Sequence, residues 1–489
     1  MLYSSLLSIL LALRLLPNPS STCLKPKSLL IAFRPESRHT GGFSSVTPYA
    51  LPRLEFLSCC KAAKFKPLRV SGESITNWFV LEGVEAADAL AAVQRCVLAH
   101  SLYETWGVGS STSQAAEDLR TFLQNDSTPN IQSYFKTLGL STFDAEKQVG
   151  TAVNVKAQAF ADFAAAMSLR GSFKELKLLD ETTGLVENVV FSLNFRTVNG
   201  ALSIYGRRLA HGPAADPKGS MAVTRRRPNA GILARFALSR RKAHVSTSME
   251  PELAFVMANL ARVGASETGC VMDPFCGSCA LLLCAADLVE AKSQDGNRKD
   301  VSYPSNGILI GFDANAFTLD KDLAGAVEED FERLGLNHLI LKLSTENIHN
   351  WRHHFLALPS LQSIVTDPPY GVKAAPIEPG KEAATASSSK SRESFEFSEL
   401  QNLYASLLDL AASKLQLGGR LVLFVPEPFS PEATGALMLI RPLPPQLRLV
   451  HVATQVFRGS RRSRLDARIS GSLGSHFRRS LVVLEIQSS

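Results

Sequence analysis

The run Ile364-Val365-Thr366-Asp367-Pro368-Pro369-Tyr370-Gly371 sets a carboxylate, two prolines and a phenol directly behind an apolar stretch. Two prolines fix an extended, rigid tetrapeptide and, having no N–H, leave carbonyls free to accept. A planar exocyclic amine could give one proton to the Asp367 carboxylate and the other to the Pro368 carbonyl, with Tyr370 stacked on the ring face. Such a hook aims a nitrogen lone pair at an electrophilic methyl group, which is catalysis by positioning. Taken alone, the motif also reads as a plain Pro-Pro turn capped by Asp.

Two further carboxylates stand where strands should end. In Val271-Met272-Asp273-Pro274-Phe275-Cys276-Gly277-Ser278-Cys279 a strand delivers Asp273 into a turn that opens a helix. Open α/β sheets bind ligands at such places. The turn has neither the G-x-G-x-x-G spacing of dinucleotide folds nor the Lys-Ser/Thr of a phosphate loop, so its ligand need not carry a phosphate. Gly277 would let the backbone approach that ligand closely. An ordinary strand-to-helix turn is the alternative. In Gly311-Phe312-Asp313-Ala314-Asn315 an acid ends the following strand, placed to accept two ribose hydroxyl hydrogen bonds. His244, His349, His353 and His354 read as structural or surface residues. A nucleophilic role for Cys276 is disfavoured because it lies in the 273–279 turn and not in the Pro-Pro loop.

The elements that must position these residues follow from hydrophobic pattern. From Val245 onward, apolar runs at Cys270–Met272, Gly307–Phe312, Leu339–Leu343, Ser363–Thr366, Leu421–Val425 and Leu481–Ile486 predict strands. Helical spacing covers Pro251–Val263, Ala280–Ala291, Leu323–Leu334 and Phe397–Leu415. The alternation implies a mostly parallel sheet with helices on both faces. Ahead of it, strands at Leu29–Phe33 and Trp78–Glu82 and helices at Leu51–Ala63 and Ala86–His100 predict a small α+β unit. An amphipathic helix around Phe160, Phe163 and Met167, and a hairpin turning near Asn199-Gly200, suggest a second α+β module.

The 489 residues leave room for two or three domains. With 45% apolar and 20% charged residues, collagen-like, wholly disordered and multi-span membrane chains are excluded. The net charge is +7, but Arg14, Lys25, Lys27 and Arg34 supply four of those charges, so the total says little about nucleic acid. The local pattern says more. Between Asp216 and Glu250 there is no acid, while Lys218, Arg225, Arg226, Arg227, Arg235, Arg240, Arg241 and Lys242 accumulate, which suits a polyanion or else a solvated loop. Eight cysteines in a chain of this length are no disulfide framework and fit a reducing compartment. The single C-x-x-C at Cys276 and Cys279 lacks a second pair, so no metal is expected. Met1–Leu16 is too short for a span of about 20 residues. Residues 1–27 read as a signal or organellar leader, or as a mis-assigned start. The expected location is cytoplasmic, with no membrane involvement.

Together the three motifs resemble the S-adenosylmethionine-dependent methyltransferases that modify exocyclic amino groups of bases, with a D-P-F-C-G-S-G-type cofactor loop and a [DN]-P-P-[YFW] catalytic loop. Cys279 departs from that loop, where Gly is common, and adds bulk. His244–Leu253 running into Met257-Ala258-Asn259, Tyr103-Glu104-Thr105-Trp106-Gly107, Tyr205-Gly206-Arg207 and Arg461-Arg462 after Gln455 are similar to segments of the tRNA (guanine(10)-N2)-methyltransferases. The resemblance implies a Rossmann-like, seven-stranded class I methyltransferase domain at 245–489. Before it would come an N-terminal α+β domain at 28–110, a THUMP-like RNA-binding domain at 111–210 and a basic linker at 211–244. It implies that Asp273, Pro274, Phe275, Cys276, Gly277 and Ser278 hold the methionine part of S-adenosylmethionine, Asp313 and Ala314 its ribose, and Glu346 and Asn347 its adenine. Asp367, Pro368, Pro369 and Tyr370 would orient guanine N2, and Arg225, Arg226, Arg227, Arg240, Arg241 and Lys242 would contact tRNA. It further implies a small zinc-containing activator subunit that adds a strand to the methyltransferase sheet. Other amino-methyltransferases (ribosomal guanine N2, DNA adenine N6) and a catalytically silent RNA-binding scaffold are the alternatives.

Overall fold

The computed structural model describes residues 28–34, 43–44, 50–60, 64–67, 77–125, 139–144, 149–150, 161–162, 165, 189–197, 200–215, 231–245, 248–264, 270–293, 308–314, 321–355, 360–370, 397–426, 438–458 and 476–488. The chain divides into two compact units, residues 1–35 with 48–232 and residues 36–47 with 233–489.

In the first unit, β1 (Ser28–Phe33) carries the unbroken apolar run Leu29–Phe33, which is buried. The two-residue β2 (Phe43–Ser44) belongs to the second unit's sheet. With β3 (Lys64–Pro67), β4 (Trp78–Glu82), β5 (Ala99–Gly109), β6 (Gly139–Asp144), β7 (Val149–Gly150), β8 (Val189–Thr197) and β9 (Gly200–His211), β1 forms one sheet ordered β3-β4-β1-β5-β9-β8-β6-β7. Strands from both 28–110 and 111–210 therefore share one sheet. The expected hairpin is present as the antiparallel pairing of β8 with β9, with Thr197 opposite Gly200. The helix expected to run to His100 stops at Arg95, because Ala99–Gly109 pairs with β1 on one side and β9 on the other. The turn between is tied down by the buried Glu55 carboxylate, which accepts from the N–H groups of Val97 and Leu98, each at 3.0 Å. Strand pairing here overrides helical spacing. Likewise, the helix predicted over Leu51–Ala63 ends at Cys59. Of the helix expected around Phe160, Phe163 and Met167, Ala161, Asp162 and Ala165 are helical, and those three apolar residues lie outside the described residues.

Tyr103–Gly107 and Tyr205–Arg207, a hundred residues apart in sequence, are cross-strand partners: Glu104 faces Arg207, and Gly107 faces Tyr205. Gly107 is needed for close approach, since a Cβ there would lie 2.3 Å from the Ala115 carbonyl of the helix Thr112–Asn125.

The second unit holds β10 (Val271–Asp273), β11 (Ile308–Asp313), β12 (Ile340–Thr345), β13 (Leu361–Thr366), β14 (Leu415–Pro426), β15 (Leu447–Arg458) and β16 (His476–Ile486). Their order is β12-β11-β10-β13-β14-β16-β15-β2. The first five are parallel and the rest antiparallel. This is the seven-stranded Rossmann-like sheet expected, extended by β2. Sequence pattern did not reveal β15, whose apolar residues are interrupted by Arg448, His451 and Gln455. The buried parallel strands are mostly apolar, as strands covered on both faces tend to be, and Met272, Ile310, Phe312, Ile364, Leu407 and Leu423 join one core. The helix Pro251–Leu260 is buried all round. The strand order reverses between the parallel neighbours β10 and β13, the switch point where such folds open a crevice beyond the strand ends. No helix among the described residues is long and apolar enough to cross a membrane.

Candidate active site

The 273–279 loop leaves β10 at the switch point. Asp273 is buried, and its Oδ1 accepts from Phe275 N at 3.1 Å and from Thr366 Oγ1 at 2.7 Å. The second bond matters for the geometry, because Thr366 ends β13 and the hook begins at the next residue. Loop and hook are thus fastened side by side across adjacent strands. Gly277, at φ +47°, donates its N–H to Asp313 Oδ2 at 3.1 Å, and Cys276 N donates to the Phe312 carbonyl at 3.1 Å. The loop is thereby tied to the end of β11. Ser278 Oγ lies 2.7 Å from Ser248 Oγ.

Burial pushes the Asp273 carboxyl up to about 7, against the hydrogen bonds from Thr366 and Phe275, and the nearby Asp313 and Asp367 charges add to the rise. Three carboxyls around a loop without a Lys suit a ligand that brings a cationic centre and hydroxyls. The hydrogen bond between the Cys276 and Cys279 thiols, together with burial, raises the Cys276 pKa far above the thiol range, which removes it as a nucleophile. Cys279 is buried at φ +59°, the left-handed region that favours glycine. Its thiol lies in the interior beside Cys276.

The hook carries its own network. Asp367 is 24% exposed at the side chain, enough to be reached from the crevice. Tyr370 donates its hydroxyl to Asp367 Oδ1. Arg479 of β16 donates from Nη1 to the Tyr370 hydroxyl at 2.7 Å and lies 3.6 Å from Asp367 Oδ2. Burial raises the Asp367 carboxyl, while the Arg479 charge and the Tyr370 hydrogen bond oppose the rise. The Tyr370 phenol is pushed well above its ordinary value by burial and by Asp367, so it stays a donor.

The remaining candidates divide. Ala314 is half-buried beside Asp313, and Glu346 N donates to the Asp313 carbonyl at 3.0 Å, so Glu346 stands at the same strand end. The Asn347 side chain caps a short 3-10 turn, accepting from His349 N at 3.0 Å. His244, His349 and His353 are exposed. Arg240 and Lys242 are exposed, but Arg241 is not available to RNA, and that expectation is corrected. Its side chain is 2% exposed, paired with Asp330 at 3.2 Å, and donates to the Ser278 carbonyl. Asp330 also accepts from the N–H groups of Lys242 and Ala243 at 2.9 and 3.2 Å. Arg225, Arg226, Arg227, Arg461 and Arg462 lie outside the described residues. Arg479 was not legible as a site residue: only the pairing of β16 between β14 and β15 brings it to the hook.

Residues 239–379 match the family model UPF0020, an RMKL-like methyltransferase domain. Over 416 residues the chain is 25% identical to the tRNA (guanine(10)-N(2))-methyltransferase TRMT11 of Rattus norvegicus, covering 80% of this chain and 75% of that one. The TRMT11 of Homo sapiens is 24% identical over 419 residues, covering 80% and 76%. The chain is similar to these TRMT11 proteins over most of its length. Its second unit carries a methyltransferase domain that spans the 273–279 loop, Asp313 and the Asp367–Tyr370 hook. A looser likeness, at a TM-score of 0.37 and 17% identity over 94% of this chain and 99% of the other, is to the crystal structure of TrmN from Thermus thermophilus.

Proposed function

We propose that this chain is an S-adenosylmethionine-dependent tRNA guanosine N2-methyltransferase acting at position 10. The observation that carries the reading is the Thr366–Asp273 hydrogen bond, which fastens an Asp-Pro-Pro-Tyr hook beside an acid-lined loop at the switch point of a methyltransferase domain. The donor set fits the cofactor: a sulfonium and an ammonium suit Asp273, and ribose hydroxyls suit Asp313. When bound, S-adenosylmethionine supplies an electrophilic methyl group. Asp273 to Ser278 hold its methionine part, Asp313 and Ala314 its ribose, and Glu346, with Asn347 behind it, its adenine. Asp367 accepts one proton of the guanine N2 amine and the Pro368 carbonyl the other, which fixes the nitrogen and localises its lone pair. Pro369 keeps the hook extended, and Tyr370 covers the base. Asp367 is also the acceptor at hand for the proton that the alkylated nitrogen gives up.

We assign tRNA gripping to the first unit, read as an N-terminal domain (28–110) and a THUMP-like module (111–210), and to a basic linker (211–244). Within the linker, Arg225, Arg226, Arg227, Arg240 and Lys242 are the contacts. The small zinc-containing activator would pair with β12, which ends the sheet and leaves Ile340 38% exposed. The proposed location is cytoplasmic. To test the function, the full chain is incubated with labelled cofactor and unmodified tRNA, with and without the activator, and the product is digested to nucleosides. N2-methylguanosine supports it; label on adenosine, or no label in either arm, refutes it.

A further inference from the structure

Arg479 is fixed on three sides. Its Nε donates to Gln455 Oε1 at 2.9 Å, and Gln455 is buried on β15. Its guanidinium lies over the Phe424 ring of β14 at 3.8 Å. Its Nη1 reaches the Tyr370 hydroxyl, which in turn donates to Asp367 Oδ1. The phenol therefore occupies Oδ1, one of the two carboxylate oxygens to which an acceptor amine could donate.

We propose that Arg479 is a positioning residue that holds the hook in a closed form, with the Tyr370 hydroxyl standing in for the acceptor amine on Asp367 until the base displaces it. The inference rests on the reading of Asp367–Tyr370 as the amine hook. Displacement trades one donor to the carboxylate for another, so no buried acceptor is left unpaired. The released hydroxyl keeps Arg479 as a partner, and the guanidinium keeps the carboxylate aimed and charged. The charge needs that help. Among the described residues, besides Arg479 and Tyr370, the ionisable groups that face Asp367 are Asp273 at the end of β10 and Tyr404 from the helix Phe397–Lys414, with Asp313 behind Asp273. None of these is a cation.

The test uses the full chain and unmodified tRNA, with initial rates measured from acid to alkaline pH and S-adenosylhomocysteine binding measured by calorimetry. Arg479→Gln should lower kcat about tenfold or more, leave S-adenosylhomocysteine affinity within about twofold, and move the acidic limb of the rate profile to higher pH. Arg479→Lys keeps the charge but not the fork, so it should restore the acidic limb while kcat stays low. Tyr370→Phe keeps the ring and removes the competing hydroxyl, so KM for tRNA should fall. Wild-type kcat and pH profile in Arg479→Gln, or an unchanged or raised KM in Tyr370→Phe, would overturn the proposal. If Arg479→Gln does not fold, Arg479→Lys decides: wild-type kcat overturns the proposal, and a reduced kcat with cofactor binding intact supports it. Asp367→Ala is run alongside. If that variant is active, the hook reading itself falls, whatever Arg479 does.

Discussion

Asp273 sits between two other carboxyls and is held at about 7 by burial, above its ordinary 3.8. Folding therefore favours its protonated form. Its contribution to stability is fully present below about pH 4 and is lost as pH rises through about 7. A ligand that brings an ammonium to the loop pairs with the charged form, so the sign reverses for binding. Affinity for S-adenosylhomocysteine should rise between about pH 6 and pH 8, and Asp273→Asn should bind more weakly with a flatter profile. Calorimetry across that range checks both. An affinity that falls with pH in the wild type would contradict the placement of the methionine part at Asp273.

The loop's position depends on elements far away in sequence. Arg240, Arg241 and Lys242 read as three equivalent cations, and the structure separates them: Arg241 is sealed against Asp330 on the helix Lys321–Arg333. Removing one partner of a buried ion pair leaves the other uncompensated. Arg241→Ala should cost about 3–5 kcal/mol in denaturant unfolding and weaken cofactor binding. Arg240→Ala, at an exposed position, should stay within about 0.5 kcal/mol. Equal effects in the two variants would contradict the clamp. That separation was not legible, because a cation run carries no sign of an acid 89 residues on. The Cys279 position was legible as a glycine slot, and its φ of +59° gives the physical reason. Cys279→Gly removes the left-handed cost of about 1–2 kcal/mol and should bind S-adenosylhomocysteine no worse than the wild type. A large loss would mean that the thiol itself supports the loop.

At the scale of the whole chain, the α/β alternation after Val245 was readable because strands covered on both faces are apolar runs. β15 escaped because polar residues break its pattern, and β2 because two residues have no period. In the first unit, the motifs at Tyr103 and Tyr205 are tied by pairing across the sheet, which spacing alone does not reveal. The basic linker bears on tRNA affinity and not on chemistry. Replacing Arg225, Arg226 and Arg227 by Ala should weaken tRNA binding and lower the salt slope by about 1–3, since each phosphate contact releases counterions. An unchanged slope would return that run to a solvated loop. All of the chemistry converges on one carboxylate. The most direct measurement is methyl transfer to unmodified tRNA by Asp367→Ala, with S-adenosylhomocysteine binding followed on the same preparation. Transfer should be abolished and cofactor affinity nearly unchanged. A variant that keeps most of its activity would contradict this.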